Sequence, residues 1–207
     1  MDKTINELVD EYFDSIKLID SKDIPNIDLY MDQVTTFMDN ALSSNKRNDD
    51  EKLLTKTMIN NYAKNSLLPS PNKKKYNKDH IIILILIYYL KNVLSINDIK
   101  KILDPITSEF FSKTEGITLS DLYDGINANI KPVIENVKKE ISHNIDDIKE
   151  KDILKEFLHI DDKFSDKNKE LLEKFYMIIM LTFDISIKKQ LIESVIDSLD
   201  IKQPEDE

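Results

Sequence analysis

The sequence predicts an almost entirely α-helical protein, and two observations support this fold class. Apolar residues recur three and four positions apart along most of the 207 residues, which is the spacing of one helix face. Runs in which β-branched and polar residues alternate between turn residues, the pattern of strands, are hard to find. With 41% hydrophobic and 33% charged residues, the chain also has enough apolar side chains to form a buried core.

Capping residues and prolines set the limits of the helices predicted in the first half of the chain. Thr55, Asn77 and Ser95 each stand where a side-chain oxygen would accept a hydrogen bond from the first turn of a helix. Asp104 followed by Pro105 is expected to end a helix, because proline lacks the N–H donor. The predicted helices span about 5–19, 29–42, 55–65, 78–93 and 95–103.

Beyond Pro105 the same periodicity predicts further helices. One short helix lies near Phe110 and Phe111, and a long one spans about 119–148. The segment FYMIIMLTF, residues 175–183, is apolar on every side, so we expect a central buried helix or one sealed by a second subunit. The last three predicted helices lie near 152–159, 167–184 and 186–199.

These elements fall into four predicted regions. They are an N-terminal helix and linker (1–27), a helical domain (28–104), a helical C-terminal domain (105–200) and a frayed acidic tail (201–207). No Gly/Ser-rich linker lies near residue 105, so the two domains are expected to pack together. Aromatic side chains of the second half are expected in the core, with the lining of an effector pocket as the alternative. They are Phe110, Phe111, Tyr123, Phe157, Phe164, Phe175, Tyr176 and Phe183.

Composition excludes several classes of functional site. The two glycines, Gly116 and Gly125, cannot form a glycine-rich phosphate-binding motif, which excludes most nucleotide-binding α/β enzymes. The absence of cysteine excludes disulfides, thiolate zinc sites, iron–sulfur clusters and cysteine nucleophiles, and it is typical of a reducing compartment. We therefore predict a cytoplasmic protein without a cofactor that is not an enzyme.

No segment predicts secretion or membrane insertion. The N-terminal sequence MDKTINELVDEYF is acidic and amphipathic, without a basic region followed by an apolar one. The longest apolar run, residues 81–90, is about half as long as the roughly 20 residues that a membrane helix needs. It predicts a buried helix rather than a membrane span.

Two Glu-x-x-His pairs repeat the ligand spacing of di-iron helical bundles. They are Glu140 with His143 and Glu156 with His159. Metal ligands of a bundle face inward, but at about 100° per residue each histidine lies opposite the apolar stripe of its helix. We therefore predict no metal site. His80 is expected on the surface, in the first turn of its helix, and three histidines so placed support no catalytic triad.

The charge of the chain is distributed unevenly. The formal net charge is −10, which by itself argues against binding to the phosphates of nucleic acid. Residues 52–78, the basic window, nevertheless contain seven lysines and no acidic residue. Such asymmetry indicates a partner of opposite charge, with ordinary solvated lysines as the alternative.

The helix predicted within the basic window has two distinct faces. Met58, Ile59, Tyr62 and Ala63 cluster on one side of the helix. The opposite side carries amide, hydroxyl and ammonium groups and no carboxylate. A recognition helix needs this division, because its apolar side holds it to the domain while its polar side reaches base edges and phosphates.

The order of elements around the window resembles a winged helix-turn-helix of the MerR kind. The residues that carry the resemblance are Met58-Ile59-Asn60-Asn61-Tyr62, Leu67-Leu68-Pro69, Pro71 and Lys73-Lys74-Lys75-Tyr76-Asn77, continued by Leu94 to Ile99. More closely, DLYMDQV (28–34), LLTKTMINNYAKNSLLPSP (53–71) and KKKYNKDHI (73–81) look like an uncharacterised bacterial family known only as a domain of unknown function. This resemblance implies the fold more than an activity.

We therefore predict a sequence-specific transcriptional regulator that binds double-stranded DNA. The expected contacts from the helix are Lys56, Thr57, Asn60, Asn61 and Lys64, and those from the basic loop, or wing, are Lys73, Lys74, Lys75 and Tyr76. The C-terminal half is expected to form a homodimer and to hold a small-molecule effector or a protein partner. The alternative function is a protein-interaction module that keeps the fold without binding DNA, its lysines docking an acidic partner or the acidic remainder of the chain.

Overall fold

The structure is a computed structural model, and it describes residues 3–48, 50–150 and 166–199. Within these ranges the chain is mostly helical with one short antiparallel sheet, which confirms the predicted all-α class. The strands are β1 (Leu29–Tyr30) and β2 (Lys75–Tyr76). The helices are α1 (Ile5–Ser15), α2 (Met31–Ala41), α3 (Lys56–Lys64), α4 (Lys78–Leu90), α5 (Ile96–Phe110), α6 (Leu119–Glu150) and α7 (Asp166–Asp197). None of the described helices is long and apolar enough to cross a membrane.

Side-chain caps begin three helices where the sequence predicts them. Thr55, Asn77 and Ser95 each accept a 3.2 Å hydrogen bond from the backbone N–H three residues later. Each bond satisfies a donor that the first turn of a helix leaves without a partner. The starts of α3, α4 and α5 are therefore fixed by local sequence.

The first helix ends earlier than predicted, at Ser15 rather than near Ile19. The backbone carbonyl of Ile19 accepts two hydrogen bonds of 2.7 Å, one from the Tyr123 hydroxyl and one from the Asn127 amide. All three residues are buried. These bonds anchor the chain after α1 to the start of α6, and they replace the helical partner that the carbonyl would otherwise have.

The expectation that Pro105 ends a helix is wrong, because α5 continues through it to Phe110. Leu103 is buried, and Ile106 and Phe110 pack against the same core on the far side of the proline. Apolar packing on both sides therefore outweighs the one backbone donor that Pro105 lacks.

The two helices predicted near 167–184 and 186–199 are one continuous helix, α7. Asp184 and Lys188 form a 2.7 Å salt bridge across the expected break, and no glycine or proline interrupts this stretch. Such a pair, four residues apart, supports a helix through the junction. The helix predicted near 152–159 lies outside the described residues.

Contacts divide the chain into two compact units. The wing unit comprises Lys17–Ala128 and Leu191–Glu207, and the helical unit comprises Met1–Ile16 and Asn129–Gln190. The core of the wing unit is built around α4, in which Ile81 to Ile85 and Ile87 are fully buried. The predicted domain ranges 28–104 and 105–200 stay a prediction.

Candidate nucleic-acid interface

Helix α3 presents the polar face that the sequence predicts. Ile59 and Tyr62 are buried in the core of the wing unit, and Met58 packs against it. Thr57, Asn60, Asn61 and Lys64 are all exposed. Burial of the apolar side fixes the orientation of the helix, so the exposed side is a pre-positioned surface of two amides, a hydroxyl and an ammonium group.

The first turn of α3 lies against α2. Lys56 is exposed and forms a salt bridge with Asp32, near the start of α2. A polar cleft of about 470 Å³ lies between the two helices. Its lining residues are Thr35, Thr36, Asp39, Asn40, Lys52, Leu54, Thr55, Lys56 and Thr57. Lys56 is thus the predicted contact residue whose charge is already partly balanced by a neighbouring carboxylate.

The segment after α3 is held in place by backbone bonds to that helix. The N–H groups of Leu67 and Leu68 both donate to the carbonyl of Tyr62, at 2.8 and 3.2 Å. Ser66 adopts a left-handed conformation with φ of 55°, which turns the chain at the C-terminus of the helix. Since both leucines are buried, the chain leaves α3 in a fixed direction toward the wing.

The wing, residues 72–76, is a tight hairpin whose tip consists of two lysines. Lys73 and Lys74 have φ of 48° and 64°, and the N–H of Lys75 donates to the carbonyl of Asn72 at 2.9 Å. Positive φ at both central residues defines a type I′ turn, which normally takes Asn-Gly or Asp-Gly. A lysine in the left-handed region costs about 1 kcal/mol or more, so this turn holds two cations at strained positions.

Strand β2 fixes the base of the wing. Leu29 pairs with Tyr76 and Tyr30 pairs with Lys75 in the antiparallel sheet. The ammonium group of Lys75 lies 5.4 Å from the centre of the Tyr30 ring, a cation–π contact. Lys75 is half-buried and Tyr30 is exposed, so the pair stands at the edge of the surface.

Tyr76 is buried with 3% of its surface exposed, so its ring does not lie on the outer surface of the wing. Its neighbour is His80, at an edge-on ring distance of 5.4 Å. The sequence predicts Tyr76 as a DNA contact because it ends the segment that resembles a basic wing. Alternation along β2 instead directs Lys75 outward and Tyr76 inward, which makes Tyr76 an anchor for the wing.

His80 is also buried, with 3% of its surface exposed, and its expected surface position is wrong. Its ring packs edge-on against Phe111, with centroids 4.8 Å apart, and Nδ1 accepts from the N–H of Asn77 at 3.1 Å. Burial lowers the pKa of His80, although the carboxylates of Asp79 and Asp28 act in the opposite direction. The sequence places His80 next to a cap but gives no sign that Phe111 covers it.

Acidic side chains of the described residues leave most of the basic window uncovered. Lys56 is the only lysine of the window that forms a salt bridge within the described part of the chain. Asp79, which adjoins Lys78 in sequence, accepts a 2.7 Å bond from the N–H of Ser112. Sequence reasoning missed both Asp32 and Tyr30, because each meets its lysine only through the packing of α2 and β1.

The part of the chain that carries this surface matches a known protein family. A family model described as "Domain of unknown function (DUF1836)" matches residues 19–126, just over half of the chain. The chain belongs to this family. The DUF1836 segment contains α2 to α5, both strands, the wing and the start of α6. No curated protein and no solved structure matches the chain.

The helical unit, which lies entirely outside the DUF1836 match, has an open apolar groove of about 360 Å³ between α1, α6 and α7. Among its lining residues are Val9, Tyr12, Ile141, Met177 and Leu181. A small-molecule effector for this half stays a prediction.

The expectation of core aromatics in the second half holds only in part. Tyr123 is buried and Phe110 and Phe111 pack against the core, but Phe175 and Phe183 are exposed. Phe157 and Phe164 lie outside the described residues. The apolar run 175–183 is therefore only partly buried, because Tyr176, Met177 and Leu181 are half-buried and its other side chains are exposed.

The described residues contain no group of three or more His, Cys, Asp or Glu side chains that could hold a metal ion. Of the two Glu-x-x-His pairs, Glu140 and His143 are both exposed on α6, as the sequence predicts. Glu156 and His159 lie outside the described residues.

Proposed function

We propose that this DUF1836 protein is a cytoplasmic, sequence-specific DNA-binding transcriptional regulator with a MerR-like winged helix-turn-helix. Helix α3 is the recognition helix, and the wing follows the phosphate backbone beside it. The observation that carries the proposal is the type I′ turn that holds Lys73 and Lys74 at its tip. A type I′ turn favours Asn-Gly, so two lysines at its central positions lower the stability of the fold. We infer that the positive charges of these lysines are required for function.

The arrangement of α3 and the wing supports the same proposal. Both elements pack on α2, which places the polar face of the helix and the cationic tip in one structural unit. Lys64, Lys73, Lys74 and Lys75 form no salt bridge with the described residues. If these four lysines each neutralise a phosphate, the affinity falls about a hundredfold between about 50 and 200 mM salt.

Specificity is assigned to the amides of α3. Asn60 and Asn61 are exposed on its polar face, and asparagine pairs with the edge of adenine through two hydrogen bonds. Substitution of either residue with Ala is expected to change which sequences are bound. Loss of a wing lysine is expected to weaken binding to all sequences alike.

The proposal is tested by incubating the purified chain with fragments of its own genome, including its upstream region, at about 50 to 200 mM salt. We expect selective and steeply salt-dependent retention of a few fragments. The double variant Lys73→Gln with Lys74→Gln should lose most of this retention. Lys131→Gln with Lys139→Gln removes the same charge from exposed positions on α6, so this matched control should bind as the unchanged chain does.

The second candidate is a protein-interaction module that keeps the fold without binding DNA. The salt bridge between Lys56 and Asp32 favours it, because it shows that a carboxylate can occupy the start of α3. A net charge of −10 also opposes the approach of DNA to the chain as a whole. No retention of any fragment at the lowest salt, by protein shown to be folded, would contradict DNA binding and leave this candidate.

A further inference from the structure

We propose that two copies of this chain associate through the outer face of α7. This face is defined by Leu171, Phe175, Ile178, Ile179, Thr182 and Phe183, which lie on one side of the helix at about 100° per residue. All six residues are exposed. The inference does not depend on the proposed DNA binding, because oligomeric state is measured without nucleic acid.

Between Leu171 and Phe183, the charged side chains of α7 lie on the side of the helix that faces α1 and α6 rather than on the outer side. Met177 and Leu181 lie toward α1 and α6, where they line the apolar groove of the helical unit, and Ile178 lies at the boundary between this groove and the outer face. The charged residues of this stretch are on that same side, with salt bridges between Lys174 and Glu170 and between Lys188 and Asp184. A helix with only water on its outer face carries its charges there, whereas the outer face of α7 carries none between Leu171 and Phe183.

The exposed apolar area of this face is similar to the apolar area that each subunit buries in a standard homodimer interface. Leu171, Phe175 and Phe183 are 64%, 58% and 65% exposed, and Ile178 and Ile179 are 61% and 38% exposed. These side chains leave on the order of 500 Å² of apolar surface accessible on each copy. A standard interface buries about 800 Å² per partner, and about 65% of a homodimer interface is apolar, which is close to the same apolar area.

The face also leaves no polar group to be satisfied by a partner. Its one polar side chain, Thr182, donates its hydroxyl hydrogen bond to the carbonyl of Ile178 within the same helix, at 2.7 Å. A second copy presents the same uncharged surface, so pairing about a twofold axis buries apolar groups against apolar groups. The face carries no charged side chain, so it cannot bind a partner through salt bridges.

The mass of the full chain in solution, measured by light scattering at micromolar concentration, tests the proposal. We expect a dimer. Phe175→Glu with Phe183→Glu should weaken association at least about a hundredfold, because two large apolar anchors are lost from each copy. Ile117→Glu is the matched control, since Ile117 is 63% exposed, lies in the wing unit and should leave the dimer intact.

A second measurement uses the absence of cysteine from the chain. Ile179→Cys introduces a single thiol near the middle of the face, and mild oxidation should link two copies through it. Ile117→Cys should give several-fold less linked product. A monomeric unchanged chain overturns the proposal, and so does a dimer that the Phe175 and Phe183 substitutions leave intact while Ile179→Cys fails to cross-link.

Discussion

We expect the double substitution Lys73→Asn with Lys74→Gly to stabilise the wing unit while weakening its binding to DNA. Both lysines lie at positions with positive φ in the type I′ turn of the wing. Asn and Gly are the residues that this turn favours, because they adopt the left-handed region with little or no steric penalty. The substitution therefore relieves strain and removes two charges in one step.

The expected gain in stability follows from the backbone angles. Two residues with φ of 48° and 64° each store about 1 kcal/mol, which gives about 2 kcal/mol of strain to be relieved. The greater freedom of glycine in the unfolded chain offsets about 0.5 to 1 kcal/mol of this. The free energy of unfolding should rise by about 1 kcal/mol, seen in urea as a higher midpoint with an unchanged slope.

The expected loss of binding follows from the two charges. Each phosphate contact contributes about −0.9 to the slope of log affinity against log salt, so the slope should become shallower by about 1.8. When salt is raised from about 50 to 200 mM, the affinity of both proteins falls. The fold-decrease for the variant should be about ten times smaller than that for the unchanged chain. Fluorescence anisotropy with a labelled random-sequence duplex measures this directly.

Lys73→Gln with Lys74→Gln separates the two effects, because it removes the charges and keeps side chains at the strained positions. We expect this control to bind as weakly as the Asn-Gly variant without its gain in stability. Equal stability of the two double variants would refute the strain argument. An unchanged salt dependence in both would refute contact between the wing and DNA.

Three further predictions concern residues of the wing unit. Asp32→Asn should release Lys56 for phosphate contact and make the salt slope steeper by about 0.9, measured with the same duplex. Stability should fall as pH drops from about 6.5 through the lowered folded pKa of His80, since the unfolded chain takes up that proton first; urea midpoints of His80→Phe should show less of this fall. Ile85→Ala should cost about 2–5 kcal/mol of unfolding free energy in urea, because Ile85 is fully buried.

Features that depend on neighbours in sequence could be predicted without the structure. The caps at Thr55, Asn77 and Ser95 act on N–H groups three residues away, so residue type and spacing were enough to identify them. The division of α3 into buried Ile59 and exposed Asn60 follows from helical periodicity in the same way.

Features that depend on distant contacts could not be predicted. The ring of Phe111 buries His80, and the hydroxyl of Tyr123 binds the carbonyl of Ile19. Neither pairing can be recognised from the neighbouring residues, so the sequence alone places His80 on the surface and extends α1 too far. The continuation of α5 through Pro105 has the same origin, since packing of residues beyond the proline decides it.

The two surfaces proposed for partners are places where the sequence departs from a local rule. The tip of the wing keeps Lys73 and Lys74 where Asn-Gly would be more stable, and α7 keeps Phe175 and Phe183 where a surface helix would carry charge. Natural sequences are otherwise locally consistent with their folds, so such departures indicate a requirement outside the isolated chain. The chemistry separates the two requirements, because strained cations suit a polyanion and uncharged aromatic side chains suit an apolar surface. Substitutions at the wing should therefore change DNA binding without changing the oligomeric state, and substitutions on α7 should change the oligomeric state even when no DNA is present.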